Sequence, residues 1–258
     1  MIAAAPRLRD IAWIAFFGAV CALWAVLFLM VRSDPASGAA GMGAEFWASL
    51  CLDAADAGFG TLWGMWAAMA AAMMLPAFAP ALATWGDLVR GGIARARDGL
   101  WLVAGYLGVW LAVAAGAAAL QGALGRAGAL LPDGRLVSGV AAGAVMLGAG
   151  LWQFSALKDA CLAKCRHPVA HFIAIWRPGA GGAAGMGARM GLTCLGCCWA
   201  LMALAFVGGT MNLVWMGAAT VFVVAEKLPR TGVWLTRPTG WALMLGGGAT
   251  MILGAAPG

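Results

Sequence analysis

The chain has 258 residues, of which 64% are hydrophobic and only 10% charged, with a formal net charge of +6 and a mean hydropathy of +0.90. A water-facing domain carries roughly 25% charged residues, so a soluble globular fold is excluded, and the basic excess bears on topology rather than on nucleic-acid binding. The expectation is an all-α, polytopic integral membrane helix bundle, forming a single transmembrane domain over residues 1–258 with the lipid bilayer as its solvent.

About seven transmembrane helices are predicted. Span 1 is Ile11–Val31, read as a retained span because a cleavable signal needs a shorter apolar core and a small-residue cleavage site. In the loop that follows, "GAEFWASLCLDAAD" (43–56) reads as a short interfacial helix. Span 2 is Thr61–Thr84, with a kink expected at Pro76 and Pro80. Span 3 is Leu100–Leu124 and span 4 is Leu136–Leu157. Lys158–Arg189 reads as a polar loop.

Residues 190–225 then carry no charge. One helix of that length would reach roughly 54 Å, against a hydrocarbon core of about 30 Å. "GGTMN" (208–212) supplies a turn, so a hairpin of two short spans is expected, Leu192–Val207 and Leu213–Leu228. Span 7 is Thr239–Ala255. With the N-terminus cytoplasmic, thirteen of the sixteen basic residues fall on inner segments, as the positive-inside rule requires. The C-terminus is then outside.

Five of the seven cysteines form two groups on this topology. Cys194, Cys197 and Cys198 lie two to three turns from the inner end of span 5, and Cys161 and Cys165 lie just past the inner end of span 4. The i,i+4 spacing puts Cys161 and Cys165 on one helical face, if the helix continues that far. Cys194 and Cys197 form a C-x-x-C. Cys21 and Cys51 are isolated and read as small apolar residues. Thiols in a reducing compartment more often serve metal or redox chemistry than structural disulfides, and thiolates select Cu(I), Zn(II) or iron–sulfur clusters.

Span 2 adds methionines. Met65, Met69 and Met73 recur at i, i+4 and i+8, with Met74 adjacent. Alone such a stripe reads as packing; beside the cysteines it also reads as a thioether path, and thioethers favour Cu(I) over Zn(II). The candidate metal ligands are therefore Cys161, Cys165, Cys194, Cys197, Cys198, Met69, Met73 and Met74. His167 and His171 share i,i+4 spacing, but Pro168 between them disturbs a regular helix. Glu226 and Lys227 end span 6 where Lys158 and Asp159 end span 4, so charge pairing between these ends is expected. There is no P-loop, no G-x-S-x-G with partners and no H-E-x-x-H.

Five blocks carry a resemblance: "AMAAAMMLP", "LKDACLAKCRHP", "GLTCLGCCWALM", "MNLVWM" and "AEKL". Together they resemble a bacterial family of predicted metal-binding integral membrane proteins, over residues 61–230. The resemblance implies metal binding in the inner membrane. It matches Cys161, Cys165, Cys197, Cys198, Lys158, Glu226 and Lys227 to the family pattern, with Cys194 in its usual place and the histidines outside it.

Three functions stay open. The first is a Cu(I)-handling membrane protein for transport, delivery or sensing, with a metallochaperone as partner. The second is a membrane thiol–disulfide oxidoreductase. The third is a non-catalytic subunit of a larger membrane complex.

Overall fold

The computed structural model describes residues 5–32, 58–210, 212–228 and 232–255. The fold is all-α. In chain order the helices are α1 (Ala5–Arg32), α2 (Phe59–Arg90), α3 (Asp98–Arg126), α4 (Gly139–Trp152), α5 (Ala156–Arg166), α6 (Pro168–Ile175), α7 (Gly179–Ala203), α8 (Ala205–Gly208), α9 (Leu213–Lys227) and α10 (Gly232–Ala255). The proposed interfacial helix at 43–56, and Cys51 within it, lie outside the described residues.

Three segments are long and apolar enough to cross a membrane: α2, α3 and Gly179–Gly208, which joins α7 to α8. A fourth arises if α4 and α5, bent by 64° at their junction, count as one span; α1 contributes a shorter apolar stretch, Trp13–Phe28. Large apolar side chains face outward on several helices, among them Val214, Val221, Leu245 and Ile252, each at least 70% exposed. Such a surface is unlike that of a water-soluble monomer and is consistent with membrane association.

Three local expectations change. Span 4 does not run through to Leu157. The helix stops at Trp152, and Ser155 starts a new one by accepting a hydrogen bond from the Leu157 amide at 3.2 Å. An N-cap serine satisfies an amide that the preceding helix cannot, so the chain turns there.

The polar loop expected from Lys158 to Arg189 is instead mostly helical, forming α5, α6 and the first half of α7. Pro168 opens α6 at its first turn, where its missing N–H costs nothing. The third change concerns the cysteines of the fifth predicted span, which sit deep within α7, because that helix begins at Gly179.

Glycine explains why α7 forms from a stretch that reads as a loop. A Cβ at Gly187 would fall on the Leu102 carbonyl, and one at Gly105 on the Ala184 carbonyl. The backbones of α3 and α7 therefore touch, which repays the helical cost of glycine through close packing. Extensive contact of α4 with α10 likewise depends on glycines, with Gly143 and Gly150 set against the α10 backbone. The expected break in the long uncharged run is present: α8 ends at Gly208, Gly209 adopts φ +97°, and Asn212 caps α9 through the Trp215 amide at 3.1 Å. Helix α2 stays continuous through Pro76 and Pro80.

Candidate metal centre

Helical spacing sets the first part of the site. Cys194, Cys197 and Cys198 stand at i, i+3 and i+4 on α7, so they share one face. Their sulfurs lie within 4.8 Å of one another, and each residue is no more than 2% exposed. The thiols of Cys197 and Cys198 both donate to the Cys194 carbonyl, at 3.0 and 2.9 Å. These bonds fold both side chains back onto the helix and hold the sulfurs together.

Other helices complete the surroundings. From α2, the Met74 thioether approaches both Cys194 Sγ and Cys198 Sγ at 3.9 Å. From α3, the Tyr106 hydroxyl lies 3.2 Å from Cys194 Sγ and 3.1 Å from the Met74 carbonyl. Its ring stacks on Phe78 with centroids 4.0 Å apart. From α9, the Lys227 ammonium donates to Cys194 Sγ at 2.9 Å. The Tyr106 hydroxyl, which donates to the Met74 carbonyl, and the Lys227 ammonium thus both meet one buried sulfur, and a cation sits where thiolate charge would form.

Helix α5 brings the second cysteine group to the first. Cys165 lines one cleft with Cys194 of the first group. The Cys161 sulfur rests against Gly196, where a Cβ would lie 2.6 Å from it. Trp152, at the bend, donates to the Gly196 carbonyl at 3.2 Å and so ties α4 to this turn of α7. The 64° bend is what turns α5 back toward α7.

The expected pairing of charges is also present. Lys158 Nζ lies 2.9 Å from Glu226 Oε2, with both side chains at most 2% exposed. Arg166 donates to the Glu226 main-chain carbonyl through Nε and Nη2, at 3.1 and 2.9 Å. Together these bonds fix the end of α9, and with it Lys227.

The methionines of the stripe differ in what their sulfurs meet. Met65, Met69 and Met73 are buried in the core, but among the described residues Met74 is the methionine whose sulfur meets the thiols. The reason is rotational, since successive helical residues point about 100° apart, and the face of α2 toward α7 carries Met74 and Phe78.

The histidines part company at Pro168. His167 is exposed, whereas His171 is half-buried, with its Nε2 atom lacking a hydrogen-bond partner. Burial, then the charges of Lys164 and Arg189, hold the His171 imidazole below its ordinary pKa and favour its neutral form. Cys21 is exposed and far from the cluster in sequence.

Tyr106 is the site residue that sequence reading missed. A signal existed: it is the single tyrosine in a chain with 14 tryptophans and 10 phenylalanines, in the middle of an apolar helix. A buried phenol needs a hydrogen-bond partner, and here the partners are the site itself.

Soft sulfur donors of this kind suit a soft metal ion. No curated protein and no solved structure matches the chain. A family model does, that of PpoB2, described as a copper chaperone, over residues 63–250. The match agrees with the metal-binding part of the motif resemblance and specifies copper, under a different family name. It spans well over half of the chain and includes every residue of the cysteine–methionine cluster: this protein belongs to the PpoB2 copper chaperone family.

Proposed function

We propose that the protein holds Cu(I) as cargo in a buried thiolate–thioether site and delivers it to a copper-requiring partner. Cys194, Cys197, Cys198 and Met74 form the centre of that site. Cys161 and Cys165 add thiolates at its edge, and Met69 and Met73 offer further thioethers along α2. The observation carrying this reading is the Met74 sulfur at 3.9 Å from two thiols of a buried three-cysteine group. A thioether adds affinity for Cu(I) and little for Zn(II). Lys227 offsets the negative charge that two or more thiolates leave around a monovalent ion.

The protein is placed in the inner membrane as one domain of seven spans, with its N-terminus cytoplasmic and its C-terminus outside. The asymmetry of basic residues supports that orientation. The partner is a metallochaperone, or a larger membrane complex that receives the ion.

The test is elemental analysis of detergent-purified protein under reducing conditions, followed by competition with a Cu(I)-selective chelator. Copper near one equivalent, lost in Cys197→Ser/Cys198→Ser, is the expected outcome. Zinc in the wild type with copper excluded overturns the reading.

A further inference from the structure

A narrow cleft leads from the surface near α5 and α6 to the cysteine cluster. Lys164, Cys165 and His171 line it toward the outside, and Tyr106, Cys194 and Lys227 line it within. It has room for about one water molecule. A metal ion fits such a passage, but an ion still carried by another molecule does not. Transfer must therefore occur at the outer residues.

Two of those outer residues are metal ligands by chemistry. Cys165 is half-buried and shares the cleft with Cys194, which belongs to the fully buried group. His171 lines the cleft and holds a buried ring nitrogen with no hydrogen-bond partner, and imidazole is a competent copper ligand. The surrounding charge is of one sign. Lys164 and Arg189 are exposed and close enough to act on His171. None of the residues lining the cleft is acidic, and Glu226 nearby is held by Lys158.

Resting on the Cu(I) reading above, we propose that the ion enters through this cleft, is bound first by Cys165 and His171, and arrives on an anionic thiol carrier. In the first step the Cys165 Sγ–Cu bond forms as the carrier's S–Cu bond breaks. The Cys165 proton leaves with the departing carrier thiolate. In the second step Cys197 takes the ion and passes its proton to Cys165. Copper stays Cu(I) throughout, so neither oxidant nor reductant is required. Cys165 lines the same cleft as Cys194, whose sulfur lies within 4.8 Å of that of Cys197, so the exchange passes between neighbouring thiols.

The test is stopped-flow loading of the detergent-purified full chain from Cu(I)–glutathione, an anionic carrier, and from Cu(I)–cysteamine, a cationic one. Cys165→Ser and Cys165→Ala should slow both loading and chelator-driven release by about tenfold or more, with a smaller change in affinity, because a way-station alters both rates together. His171→Phe should do the same more weakly. Lys164→Gln/Arg189→Gln should slow loading from Cu(I)–glutathione, flatten its salt dependence, and leave the cysteamine rate unchanged. Unchanged thermal unfolding of the apo variants confirms that each is folded. Loading of both Cys165 variants at the wild-type rate overturns the route. Equal loss from both carriers in the Lys164/Arg189 variant overturns the anionic carrier. Failure of wild type to bind Cu(I) at all refutes the underlying reading instead, so the two failures are told apart.

Discussion

Replacing Lys158 with methionine should be among the most destabilising single changes available in this protein. The Lys158 and Glu226 side chains are 0% and 2% exposed, with Nζ and Oε2 2.9 Å apart. Glu226 Oε1 already has no partner. The neighbouring cations are committed elsewhere, Lys227 to Cys194 and Arg166 to the main-chain carbonyl of residue 226. Removing the ammonium therefore leaves a buried carboxylate without compensation. Breaking one half of such a pair costs about 3–5 kcal/mol, which moves the folded-to-unfolded ratio by more than about 100-fold. Lys158→Met/Glu226→Leu removes both charges and should recover most of that loss, since two apolar groups replace an ion pair at similar volume. Equilibrium unfolding in mixed micelles, titrated with a denaturing detergent, measures all three proteins. A Lys158→Met variant within about 1 kcal/mol of wild type would refute the reasoning, because the carboxylate would then have found water or another cation.

Met74→Leu keeps the volume nearly constant and should spare folding while weakening Cu(I) binding in chelator competition; Met73→Leu, whose sulfur does not meet the thiols, should weaken it less. Tyr106→Phe removes hydrogen bonds to Cys194 and the Met74 carbonyl, and should lower thermal stability by about 1 kcal/mol while altering the thiolate absorption of the copper-loaded protein. Gly187→Val places a branched side chain on the Leu102 carbonyl, so α3 and α7 must separate, and a loss of several kcal/mol is expected in the same unfolding assay. A reporter fused at Gly258 should be active only outside the cytoplasm; activity only inside would remove the hairpin at Gly208–Asn212 as a pair of spans.

The sequence by itself determined that the chain is helical with large apolar faces, and which soft sulfur donors it offers a metal ion. Too few charges to clothe a soluble surface, and long runs without any, are one-dimensional quantities and need no coordinates. The grouping of five cysteines beside a methionine-rich helix was equally legible, because i,i+3 and i,i+4 spacing already implies a shared face. So was the pairing of charges between Lys158 and Glu226, since buried charge demands a partner. Tertiary structure decided which atoms meet. Met74 rather than Met73 reaches the thiols, because a turn of one residue, about 100°, depends on how α2 is rotated against α7. Cys161 and Cys165 come up against α7 because the chain bends by 64° before α5, where Ser155 caps a new helix. Residues 179–189 form helix rather than loop because Gly105 and Gly187 let two backbones touch, a contact between segments some 80 positions apart. Tyr106 and Lys227 converge on Cys194 from two further helices. Hydropathy fixes how much surface a helix must bury, but close packing between helices fixes which side of it is buried, and the candidate metal centre lies in that choice.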